Sequence, residues 1–88
     1  MKIRNGFILR DVAGKTFVVA TGELSKEFSG MITLNETGKF IWNMLQNDVT
    51  INEIVDALLS EYEGVDREVV DSDVKNFIAL LEKDNVLE

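Results

Sequence analysis

The sequence predicts an α+β fold ordered βββααα, a winged helix-turn-helix-like arrangement in which a three-stranded antiparallel sheet precedes three helices. Three observations carry this. Two β-rich runs flank a short glycine-containing turn, a brief third run (MITL) follows, and from residue 35 the apolar spacing changes from alternation to the helical period. A chain of 88 residues has room for one core, so residues 1–88 read as a single domain, with the sheet in 1–34 and the helices in 35–88.

The first two strands are FILRDV (7–12) and TFVVAT (16–21), which flank Ala13-Gly14-Lys15 and form a hairpin. Residues 22–30, GELSKEFSG, carry glycine at both ends and polar residues between, and read as a loop. Met31, Ile32, Thr33 and Leu34 make the third strand, in which alternation turns Ile32 and Leu34 inward and Met31 and Thr33 outward. No further strand pattern follows, so one edge of this strand is left open.

Asn35 then caps a helix whose first turn holds Glu36, a favourable charge at the positive end of the helix dipole. Phe40, Ile41, Met44 and Leu45 form its stripe, and residues 46–49 interrupt it. Thr50-Ile-Asn-Glu53 is a capping box, and Ile51, Ile54, Val55, Leu58, Leu59 and Tyr62 follow on one face. Gly64 ends this second helix. The third spans residues 66–84 with Val70, Val74, Phe77, Ile78 and Leu81 on its apolar face; Asn85 caps it, leaving Val86 and Leu87 as a tail on the core.

Composition excludes several functions. Cys 0 and His 0 rule out disulfides, thiol chemistry and the usual soft-metal ligands, so neither a metal nor another cofactor is expected. Apolar runs such as FVVA (17–20) and IALL (78–81) are far too short to span a bilayer, and no signal-peptide core is present, so a cytoplasmic protein without a membrane partner is expected. Residues 1–26 hold five Lys/Arg against two acids, a charge of +3; the remainder holds four against fourteen, −10, for a net −7. A chain so acidic is a poor ligand for polyphosphate, and no nucleic-acid partner is expected.

Apparent catalytic motifs dissolve on inspection. Gly14-Lys15-Thr16 imitates the end of a phosphate loop, but Leu9 stands where its first glycine belongs and the turn joins two strands. Ser72-Asp-Val-Lys75 has a nucleophile's spacing without a partner motif. Asp71 and Asp73 lie on diverging helix faces. Asn35-Glu-Thr37 matches a glycosylation sequon that helix capping explains better. Trp42 reads as a half-buried core residue, with an interface contact as its second reading, and Gly38 as a site of close helix packing. The acids Asp66, Glu68, Asp71, Asp73, Glu82 and Asp84 read as the solvated face of the last helix, or as a rim attracting a basic segment. The helix-turn-helix pattern invites a DNA hypothesis, yet residues 35–62 hold one base, Lys39, and five acids, a sign that repels phosphates.

One resemblance covers essentially the whole chain. GMITLNETGKFIW (30–42), preceded by FILRDVAGKTFVVATGE and followed by TINEIVDALLSEYEGVD and DVKNFIALLEKDNVLE, resembles the PqqD family. Its members are the peptide-recognition proteins of pyrroloquinoline quinone biosynthesis, and relatives serve pathways to ribosomally made, post-translationally modified peptides. The resemblance implies a non-catalytic protein that holds the leader of a precursor peptide and presents it to a modifying enzyme, of the radical S-adenosylmethionine type or another. It implies that the leader pairs antiparallel with the third strand and sends alternate side chains into an apolar groove between that strand and the third helix. The matching positions are Gly30, Met31, Ile32, Thr33 and Leu34 on the strand, and Val70, Val74, Phe77, Ile78 and Leu81 on the helix, some of which must serve the core. Asn85 stands where the family's closing turn often has glycine. Two other classes compete: a winged-helix DNA-binding regulator, which needs a basic face, and a scaffold or oligomerisation domain whose open edge pairs with a second copy. The expected state is monomer or homodimer.

Overall fold

In the computed structural model, which describes every residue except Ser29, the chain reverses at Ala13 and Gly14 through positive φ angles of 52° and 78°. Positive φ at both central positions is the type I′ turn, whose twist matches the strands it joins. Strand β1 (Phe7–Val12) and strand β2 (Lys15–Ala20) therefore pair antiparallel, with Val12 opposite Lys15 at the closed end. Strand β3 (Met31–Leu34) pairs antiparallel with β2, placing Ile32 opposite Val18 and Thr33 opposite Phe17. The sheet order is β1-β2-β3, as the hairpin and the short third strand imply.

The chain divides into two compact units, Arg4–Phe40 and the pair of segments Met1–Ile3 and Ile41–Glu88. In the first, Val18 and Leu34 are buried and Ile32 is half-buried, while Met31 and Thr33 are exposed, the alternation expected of β3. The segment read as a loop contains one turn of helix, α1 (Leu24–Glu27). Its cause is tertiary. Leu24 is buried against Gly6, where an added Cβ would come within 3.1 Å of the Leu24 Cδ2. The Ser25 hydroxyl donates to the Gly22 carbonyl at 2.6 Å, and Phe28 meets Phe7 edge to face at 5.4 Å. Helix α2 (Glu36–Met44) starts at the cap expected of Asn35, whose Oδ1 accepts the Gly38 N–H at 2.7 Å. Gly38 packs closely, as its sequence position suggests: a Cβ there would lie 3.2 Å from Asn35 Oδ1 and 3.4 Å from Leu34 Cδ2.

In the second unit, helix α3 (Ile51–Glu61) opens on the full capping box, with the Thr50 hydroxyl accepting the Glu53 N–H at 3.1 Å and the Glu53 carboxylate accepting the Thr50 N–H at 3.0 Å. Ile54, Val55 and Leu58 are buried from its apolar face. Helix α4 (Arg67–Lys83) is capped by Asp66 and ends in a Schellman turn: Asn85 sits at φ 60°, its N–H donates to the Glu82 carbonyl, and the Val86 N–H donates to the Leu81 carbonyl. Val86 is buried, and Leu87 forms a β-bridge with Ile3. Trp42 is 2% exposed, a core residue more deeply buried than its sequence position indicates. Among the described residues no helix is long and apolar enough to cross a membrane.

Candidate functional site

The geometry of the first hairpin dictates what β3 offers. In a two-residue hairpin the closing pair, here Val12 and Lys15, exchanges hydrogen bonds, and along an antiparallel strand such pairs alternate with non-bonded ones. The main-chain groups of Lys15, Phe17 and Val19 therefore point to β1, and those of Thr16 and Val18 point to β3. The Thr21 N–H, two residues beyond Val19, confirms the phase by donating to the Gly6 carbonyl at 2.7 Å. Thr16 faces Leu34 and Val18 faces Ile32, so Ile32 and Leu34 spend their main-chain groups on β2. The N–H and C=O of Met31 and of Thr33 point away from the sheet, along an edge that pairs with no strand among the described residues.

The sheet has a second edge, along β1, and the two differ in charge. β1 carries Arg10 and Asp11, and charged side chains are a common guard against strand addition. The Asp11 carboxylate is fixed there, accepting from the Thr16 hydroxyl at 2.5 Å and from the Lys39 ammonium at 3.2 Å. Those contacts, the Thr16 hydrogen bond foremost, hold its carboxyl below the usual aspartate range. β3, by contrast, is MITL, without a charge or proline. A shallow apolar pocket of about 510 Å³ lies at its start, lined by Val19, Ala20, Ser25, Phe28, Gly30 and Met31.

The other candidate positions fall as follows. Gly30 is exposed, with open space where a Cβ would stand. Of the α4 set, Val70, Val74, Ile78 and Leu81 are buried and Phe77 is half-buried, so Phe77 has the most accessible surface of the five. Sequence reasoning passed over Ile8 and Val12, which are exposed on the sheet, and Val69 and Leu80, exposed on α4. Strand alternation was the signal available for Ile8 and Val12, since both stand one residue out of phase with Leu9. Among the described residues, no group of three or more His, Cys, Asp or Glu could hold a metal ion.

Comparison with known proteins follows the same line. A family model described as "Coenzyme PQQ synthesis protein D (PqqD)" matches residues 7–87. Among solved structures the chain is similar to TbiB1 in complex with the TbiA(beta) leader peptide, at 27% sequence identity and a TM-score of 0.77, over 100% of this chain and 95% of that one. No curated protein matches the chain.

Proposed function

The chain belongs to the PqqD family, and on that premise we propose that it binds the leader of a ribosomally made precursor peptide by β-strand addition and presents it to a modifying enzyme, without catalysing a reaction itself. The observation that carries the reading is the uncharged open edge of β3, with the main-chain groups of Met31 and Thr33 turned outward. An extended peptide laid antiparallel along it satisfies those groups, and each such hydrogen bond contributes a net ~0.5–1.5 kcal/mol. The similar TbiB1 is described with a leader peptide bound, which supports a peptide as the ligand. The enzyme served here is proposed to be of the radical S-adenosylmethionine type. Of the five α4 positions that the resemblance implies, Phe77 has the most accessible surface.

Thr33→Pro tests the reading. Proline removes an edge-facing N–H while leaving the β2 ladder bonds of Ile32 and Leu34 in place. Affinity for the leader should fall about tenfold, equivalent to ~1.4 kcal/mol, while Thr33→Ala, which keeps the amide, should bind nearly as the parent does. Isothermal titration gives both numbers, with circular dichroism confirming that each variant is folded. Equal affinities for the two variants would remove β3 from the site. Amide shifts on titrating the leader should cluster on residues 30–35, and shifts at 69–81 would add α4; shifts confined to 50–62 would place the site elsewhere.

A further inference from the structure

The edge of β3 is one surface and the outer face of the sheet is another. Strand alternation places Ile8, Val12, Phe17, Val19 and Met31 together on that face. Three of them are conspicuously exposed: Ile8 at 40%, Val12 at 57% and Met31 at 62%. Interleaved on the same face are Arg10 and Lys15, opposite Phe17 and Val12, and neither forms an ion pair among the described residues. No carboxylate of the strands joins them, because Asp11 belongs to the opposite face, where Thr16 and Lys39 hold it. On a chain of net charge −7, the strand residues of this apolar face thus carry positive charges and no negative ones.

We infer that the outer face of the sheet, centred on Val12 and Met31 and flanked by Arg10 and Lys15, docks an apolar, acid-rimmed surface of the modifying enzyme. The inference rests on the leader-binding reading for the identity of the partner, and on charge complementarity for its chemistry. A second copy of the chain fits poorly. Two-fold pairing through this face brings one positively charged patch against another, and like charges opposed at an interface are costly. The area points the same way. Strand spacing and rise give the face roughly 300 Å², against about 800 Å² per partner in a stable complex. The occupant must therefore reach beyond the face, and the bound leader, lying beside β3, is the nearest surface for it to reach.

The test uses the full chain, the purified enzyme that modifies the same precursor, and the leader peptide. Arg10→Glu combined with Lys15→Glu should weaken enzyme binding at least tenfold and flatten its salt dependence, while leader affinity stays within about twofold of the parent. Val12→Ser should weaken enzyme binding without altering its salt dependence. Lys75→Glu, which reverses a positive charge on α4, should change neither affinity. Enzyme binding unmoved by the double reversal would overturn the inference, as would a homodimer that Val12→Arg dissolves. Loss of leader and enzyme binding together in folded variants would also overturn it, since face and edge would then not be separate surfaces. Failure of the leader to bind the parent chain would sink the leader reading alone, and the enzyme titrations would still report on the face.

Discussion

Ala13 carries a cost that its neighbour Gly14 does not. At φ 52° its Cβ crowds the backbone, a conformation that asparagine and glycine tolerate better and that type I′ turns favour in them. Ala13→Asn should therefore stabilise the protein by about 0.5–1 kcal/mol, seen as a higher midpoint in urea with an unchanged slope; a lower midpoint would mean that the alanine methyl has a favourable contact. Asp11 ties stability to pH. Its folded carboxyl is held below the usual aspartate range by Thr16 first and Lys39 second. The unfolded state then binds more protons through that interval, so stability rises with pH. The contribution is present above the ordinary aspartate value and fades as pH falls through the folded one. Carboxyl NMR should find the Asp11 midpoint below that of a free aspartate, and Thr16→Val should move it upward. A midpoint unmoved by Thr16→Val would assign the shift to Lys39.

At the scale of elements, α3 depends on its start. Removing the Thr50 hydroxyl strips the Glu53 amide of its acceptor, and Thr50→Ala should cost about 1 kcal/mol and lower the melting temperature by about 4–8 °C in a domain this size. A shift under one degree would show that solvent replaces the cap. This box was plain in the sequence because its partners lie three residues apart, as do those of the Asn35 cap. The same locality made the hairpin and the outward Met31 and Thr33 legible. Helix α1 was not, because one turn has no period to display and its anchor, Leu24 against Gly6, joins residues 18 positions apart in the chain. The Ile3–Leu87 bridge spans nearly the whole sequence and leaves no local trace. For the candidate site, the short uncharged strand was visible in the letters. The direction of its main-chain groups was not, since that phase is set by a turn closed at Val12 and Lys15, far up the chain.

At the scale of the whole molecule, the two proposals give β3 two partners at once: its edge is proposed for the leader and its outer face for the surface inferred for the enzyme. A leader added beside β3 widens that face by one strand, so the two ligands should bind with positive coupling, and by linkage each should tighten the other by the same factor. Titrating the enzyme with and without saturating leader should show at least a fivefold gain in affinity, the low end of ordinary coupling energies; equal affinities would mean that the enzyme ignores the peptide strand. The open edge also sets a scale of length. Because Met31 and Thr33 alternate with residues turned the other way, a leader shifted by one position would present its opposite set of side chains, whereas a shift of two restores the match. Pairing can therefore slide only in steps of about 6.6 Å. Sliding would then change the distance from the gripped segment to the residue awaiting modification only by even numbers of residues, and a single-residue insertion between them should disturb processing more than an insertion of two.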